Sequence, residues 1–210
     1  MAWFLSNIRY VAWTALAAGA LVLIYFAMGV AGVGFGDVLF WEAVLRWLHV
    51  LSGIMWIGLL YYFNFVQIPN MPKIPEEARA PAIAKVIAPN ALFWFRWGAM
   101  ATLVTGLLLA WNQNYLLQAL TLGAADEFPF SVPKMIFIGA GMWLAIIMWF
   151  NVWFVIWPNQ QKALNINNRY PDLDAPAKGA AGKTAMQFSR INTLLSVPML
   201  VAMTGAGTLF

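Results

Sequence analysis

A single histidine, His49, lies inside a strongly hydrophobic segment, between Leu48 and Val50. An ionisable imidazole is costly in the hydrocarbon region of a membrane, so such residues usually face protein, a cofactor or a water-filled path. Histidine is also the commonest metal ligand among side chains and a usual axial ligand of haem iron. Any chemistry within this chain is therefore expected to involve His49 or a partner docked beside it.

His49 shares one face of a predicted helix with other polar or small residues, which fall within a sector of about 80° at 100° per residue. This stripe comprises Glu42, Arg46, His49, Gly53, Asn64 and Gln67. Two interpretations remain open: the stripe hydrogen-bonds neighbouring helices, or it serves a cofactor, a proton or a substrate. In both, we expect it to face protein or a bound group, with Glu42 paired to Arg46 and Gly53 leaving room beside His49.

A second polar set lies near the predicted cytoplasmic ends of three later spans: Arg96, Asn151, Arg190 and Asn192. These residues are expected either to line a cytoplasmic vestibule or to make interhelical hydrogen bonds and place their charges at the interface. Small residues suited to close helix packing occur in two of the spans: Gly98, Thr102, Thr105 and Gly106 in one, Gly139 and Gly141 in the other.

Composition indicates the elements that must position these residues. The chain has 210 residues, of which 62% are hydrophobic and 10% charged, whereas soluble domains carry about 25% charged residues. We predict an all-α fold, a single-domain (1–210) polytopic transmembrane bundle with about five spans. The predicted spans are roughly 10–32, 40–67, 92–112, 133–157 and 190–209. The absence of cysteine excludes disulfides, thiolate metal sites and a covalent c-type haem.

The charge distribution predicts the orientation of the bundle. Basic residues concentrate before span 1 and in the connections after spans 2 and 4: Arg9, Lys73, Arg79, Lys85, Lys162, Arg169, Lys178 and Lys183. The other side carries Asp37, Glu42, Asp126 and Glu127. By the positive-inside rule the N-terminus is predicted in the cytoplasm and the C-terminus outside, in a bacterial inner membrane. Because the basic residues lie in these connections, the net charge of +4 does not indicate nucleic-acid binding. No cleavable signal peptide is expected.

The depth of His49 suits a b-type haem. The residue lies about ten positions into span 2, about 15 Å from its outer end, from where electrons would reach a periplasmic cytochrome. Six-coordination would need a second ligand: a methionine, a residue of a partner subunit, or none if the haem is five-coordinate. The methionine candidates are Met55, Met100, Met142 and Met148. The nitrogen of His49 that does not bind iron is expected to donate to an acceptor on another span.

Four stretches resemble the membrane domain of bacterial membrane-bound urate hydroxylases, the urate oxidase N-terminal family. They are Arg46-Trp47-Leu48-His49-Val50 with Gly53 and Trp56-Ile57-Gly58, Phe93-Trp94-Phe95-Arg96-Trp97 leading to Thr105-Gly106, Trp149-Phe150-Asn151 to Gln160, and Ser189-Arg190-Ile191-Asn192 to Pro198-Met199. The resemblance covers spans 2 to 5. It implies urate oxidation with electron transfer to a c-type cytochrome, which would be separately encoded because Cys-x-x-Cys-His is absent from this sequence.

Two classes of function follow. In the first, the chain is a redox membrane subunit, in which His49 holds haem b, Gly53 gives the ring clearance and Arg46 pairs with a propionate. In the second, it is a non-catalytic membrane subunit that packs in or anchors a larger complex. Membrane lipids are expected partners in either case.

Overall fold

A computed structural model describes residues 2–125 and 133–209, and every regular element in these ranges is helical. The five long helices are α1 (Ile8–Val30), α2 (Val38–Lys73), α3 (Ala82–Asn112), α4 (Pro133–Leu164) and α5 (Ala175–Gly205). The predicted all-α bundle is confirmed. Asp126 and Glu127, which entered the orientation argument, lie outside the described residues.

Helices α1 to α4 are long and apolar enough to cross a membrane, so the chain is a helical membrane protein. Helix α5 is not among these four, although it has 31 residues. Its first half is polar, and its second half corresponds to the predicted span 190–209. The helix therefore begins well before the apolar stretch by which sequence reasoning located it.

The predicted connections 68–91 and 158–188, which follow spans 2 and 4, are largely helical, which corrects the predicted bounds of four spans. Helix α2 continues to Lys73, α4 continues to Leu164, and α5 already begins at Ala175. Helix α3 already begins at Ala82, after the short helical turn Glu76–Ala78.

Proline explains why sequence reasoning ended these helices too early. Three prolines that read as breakers lie within continuous helix: Pro69, Pro89 and Pro158. Each follows a stretch of wider π-helical turns that ends two residues before it, at Gln67, Ile87 and Ile156. Because a wider turn does not need the N–H that proline lacks, the ring is accommodated without ending the helix.

The bundle is built from two helix pairs, α2 with α3 and α4 with α5. Glycines allow close approach in both pairs, as the small-residue faces predict. A Cβ on Gly98 would lie 3.3 Å from the backbone nitrogen of Trp56, and one on Gly141 would lie 3.0 Å from the Cβ of Ala202. Both faces thus serve helix packing.

The two pairs share a hydrophobic core toward one end, which we call the Arg96 end; the opposite end is the Arg46 end. The largest fully buried side chains of this core are Trp56, Leu60, Phe95, Met148, Val152 and Ile156. Toward the Arg46 end the space between the pairs is a cleft. Helix α1 has no buried residue, and Gly19 on α1 approaches the ring of Trp47 on α2.

Candidate functional site

His49 points from α2 to α3, where its Nδ1 lies 2.9 Å from the backbone oxygen of Thr102. A carbonyl oxygen can only accept, so Nδ1 carries the proton and donates it. In the neutral ring, Nε2 is then the nitrogen with the free electron pair. No described group hydrogen-bonds Nε2. The prediction that the acceptor comes from another span is confirmed.

Gly106 makes room for the His49 ring on α3. A Cβ at Gly106 would lie 2.8 Å from Cε1 of His49 and 3.0 Å from Nδ1, closer than real side-chain contacts allow. The imidazole is therefore held between a hydrogen bond to Thr102 and the bare backbone of Gly106. Such a fixed ring is what a ligand nitrogen requires.

His49 lines a cleft of about 570 Å³ between the two helix pairs. This volume falls in the range of about 300–1,000 Å³ typical of cofactor and ligand pockets. The walls of the cleft are mostly apolar and are formed by residues of α2, α3, α4 and α5. The apolar lining residues include Ile57, Leu103, Leu107, Ile138, Met142, Ile146, Met199 and Met203. Gly53 lines the same cleft. A Cβ on Gly53 would have only the methyl carbon of Thr102 within 4 Å, at 3.9 Å. The predicted clearance beside His49 is thus present.

The cleft is open where part of its lining on α2 and α5 is exposed. Val50, Ile54 and Leu200 line it, yet they are also exposed. In a membrane this opening faces acyl chains, since the residues around it are apolar and lie within the helices. A lipophilic molecule would therefore have a direct route from the bilayer to the cleft.

Arg46 and Tyr115 line the cleft toward the Arg46 end. Arg46 forms the predicted ion pair with Glu42, one helical turn away. The Arg46 side chain is nevertheless 58% exposed, so the prediction of its burial is wrong; its long stem allows the guanidinium to extend toward water. Burial raises the pKa of the Tyr115 phenol, so the phenol stays a neutral donor over an even wider pH range than an exposed tyrosine.

Asn64 and Gln67, the far members of the stripe, lie outside the cleft lining. The Asn64 amide donates to the backbone oxygen of Leu60 and to the hydroxyl of Ser189 on α5, at 2.9 and 2.7 Å. The Gln67 Oε1 atom is buried without a hydrogen-bond partner. The stripe therefore divides: Arg46, His49 and Gly53 line the cleft, whereas Asn64 joins helices.

The second polar set does not meet His49. Asn151 donates to Asn192, whose own amide donates to the backbone oxygen of Met148, both at 2.9 Å. Both asparagines are buried, so they join α4 to α5 as interhelical hydrogen bonds. Arg190 is exposed. The guanidinium of Arg96 stacks on two tryptophan rings of α4.

Sequence reasoning missed several members of the cleft. Of the four methionines considered as second ligands, only Met142 lines it, together with Met199 and Met203. The side chains of Tyr61 and Ser196, at 2.9 Å, join α2 to α5, and Tyr61 also lines the cleft. No polar or periodic signal distinguishes Met199 and Met203 from other packing positions, because their role depends on how the helix pairs are arranged.

Within residues 2–125 and 133–209, no cluster of three His, Cys, Asp or Glu side chains is arranged to hold a metal ion. Metal chemistry at this site would thus need a group that brings most of its own ligands. No protein-family model matches the chain, and neither does any curated protein or solved structure.

Proposed function

We propose that this protein is a membrane redox subunit that binds a b-type haem in the cleft, with Nε2 of His49 as a ligand of the iron. Bound haem would supply one-electron transfer. The observation that carries the proposal is the hydrogen bond from Nδ1 to Thr102, which leaves Nε2 unpaired at an apolar cleft. A proton donated to a carbonyl is the usual way in which proteins orient a ligating histidine.

The rest of the cleft fits the same group. Its apolar walls suit a flat macrocycle, and Gly53 and Gly106 keep the space beside the ring open. The methionine sulfurs of the lining offer a second ligand. Arg46 and Tyr115 supply N–H and O–H donors for propionates, and guanidinium–carboxylate pairing is geometrically favourable.

The resemblance to the urate oxidase N-terminal family supports a source and a destination for the electrons. We propose that a small molecule such as urate donates them, and that a c-type cytochrome accepts them. The residues that carry the resemblance include His49 and Gly106, which meet in the site. Purified membranes should then reduce added cytochrome c when urate is supplied, and no urate-dependent reduction would rule out this substrate.

An absorption spectrum of the purified protein tests haem binding. The protein from haem-sufficient cells should show a Soret band with reducible α and β bands, and extraction should yield haem b in stoichiometric amount. A colourless protein that gains no Soret band on titration with hemin would refute the proposal.

Replacing Gly106 by alanine should weaken haem binding, because the new methyl group would displace the His49 ring from Thr102. Gly58→Ala is the matched control, since Gly58 lines the same cleft but has no atom within 4 Å of its Cβ direction. Hemin titration followed at the Soret maximum measures both variants. Equal affinities in the two variants would show that the position of the ring does not matter.

We also propose a bacterial inner membrane location with the N-terminus in the cytoplasm and the C-terminus outside, because basic residues concentrate at the Arg96 end. A reporter enzyme that is active only in the periplasm should be active when fused after α5. Activity of a cytoplasm-dependent reporter at the same position would reverse the orientation.

A second candidate function is that of a non-catalytic subunit in a larger membrane complex. It is favoured by α1, which contributes no buried residue and contacts the bundle at Gly19 against Trp47. Photo-crosslinkers placed on α1 would then capture another protein in native membranes. Crosslinks to lipid alone, together with a haem spectrum, would favour the redox subunit.

A further inference from the structure

Arg96 carries a charge close to a membrane boundary. It lies sixteen residues before the end of α3 at Asn112, or about 24 Å along the helix. With a hydrocarbon core of about 30 Å, a residue at this depth is near the membrane surface of the Arg96 end. Its guanidinium is therefore within reach of lipid headgroups.

Two tryptophan rings of α4 hold the guanidinium in place. The Cζ atom of Arg96 lies 3.8 Å from the ring centroid of Trp157 and 5.1 Å from that of Trp153. Trp97 packs edge-on against Trp153, with 5.4 Å between the ring centroids, and so helps to fix that ring. Stacking uses the flat faces of a guanidinium and leaves the N–H groups at its edge available.

These N–H groups have no acceptor among the described residues. The ion pair found among the described residues is the one between Arg46 and Glu42, which lies at the Arg46 end and not near Arg96. The Nε atom of Arg96 is buried without a hydrogen bond. An unpaired charge near the bilayer is costly, and stacking on aromatic rings offsets only part of that cost. The N–H groups of Arg96 are therefore suited to bind an anion.

We propose that Arg96 binds the phosphate group of a phospholipid from the adjoining leaflet, with Trp153 and Trp157 flanking the lipid at its interfacial level. A planar guanidinium suits a phosphate group because it donates two parallel hydrogen bonds. Tryptophan is favoured at the same depth. Exposed basic residues on helical segments of this end favour an anionic lipid over a zwitterionic one: Lys85, Lys162, Lys183 and Arg190. This site does not involve His49 and is independent of haem binding.

Native mass spectrometry of the full chain, titrated with phosphatidylglycerol in detergent, tests the proposal. The wild type should bind one lipid with clear preference, and Arg96→Gln should weaken that binding at least about tenfold, as expected for loss of a charged hydrogen-bonding partner. Arg190→Gln is the matched control, because it removes the same charge from an exposed position at the same end. It should weaken the binding far less than Arg96→Gln does. Arg96→Lys keeps the charge but loses the planar fork, so it should also weaken binding.

Three results would overturn the proposal. Equal lipid binding by Arg96→Lys and the wild type would show that the guanidinium makes no specific contact. Equal losses in Arg96→Gln and Arg190→Gln would indicate general charge attraction. Binding of inorganic phosphate alone, dependent on Arg96 and not strengthened by the lipid, would identify a free anion instead of a phospholipid as the ligand.

Discussion

Replacing His49 by alanine is expected to abolish haem binding while the protein still inserts and folds. The imidazole is the chain's single histidine, and under our proposal its Nε2 is the iron ligand. The substitution also removes the hydrogen bond to the Thr102 carbonyl, which contributes about 1 kcal/mol to stability. The Soret band should therefore disappear while the helical circular dichroism spectrum is retained.

Ser52→Ala is the matched control for this variant. Ser52 lies one turn further along α2 and donates to the backbone oxygens of Leu48 and His49 within its own helix. It is absent from the cleft lining, so its replacement should leave the Soret band unchanged. An unaltered spectrum in His49→Ala would show that the imidazole is a packing residue.

Replacing Gly139 by alanine is expected to destabilise the bundle more than the other single-methyl additions considered. Its Cβ would fall on the backbone oxygen of Ala119 in the short helix Leu116–Leu120. Backbone cannot move aside as a flexible side chain can, so the short helix must shift away from α4. That shift would also strain the hydrogen bond that the indole N–H of Trp143 donates to the backbone oxygen of Leu120. Overpacking of this kind costs about 1–3 kcal/mol, which unfolding in mild denaturant would measure.

Gly179→Ala adds the same methyl group as Gly139→Ala, but it is expected to stabilise the bundle instead of destabilising it. Gly179 lies within α5, and no atom comes within 4 Å of its Cβ direction. Alanine in an open helical position favours folding by about 0.5–1 kcal/mol. If Gly139→Ala were as stable as Gly179→Ala, the close contact between α4 and Leu116–Leu120 would be contradicted.

Most of the fold could be predicted from the sequence, because long apolar segments leave few alternatives in a membrane. The helix ends could not be predicted as well. Prolines such as Pro69 and Pro158 normally end helices, but here they follow wider turns that accommodate them. The polar first half of α5 gave no hydropathy signal, although Asp174 caps it by accepting from the N–H of Ala177.

The site could be predicted in part. Helical periodicity identified His49 and Gly53, because a one-face pattern depends only on one helix. It also included Asn64, which lies outside the cleft and donates a hydrogen bond to Ser189 of α5. Periodicity cannot separate these two cases, because it does not tell which helix packs against each part of the face. Met199 and Met203 enter the cleft from α5, and only the arrangement of the two helix pairs reveals them.

Labelling with ¹⁵N-histidine tests the central claim most directly, because a chain with one histidine carries the label at His49 alone. Electron–nuclear double resonance of the ferric protein resolves nitrogens bound to iron. We predict a ¹⁵N hyperfine coupling from an axial ligand in addition to the ¹⁴N couplings of the porphyrin. A haem signal with ¹⁴N couplings only, or no haem signal at all, would contradict the account.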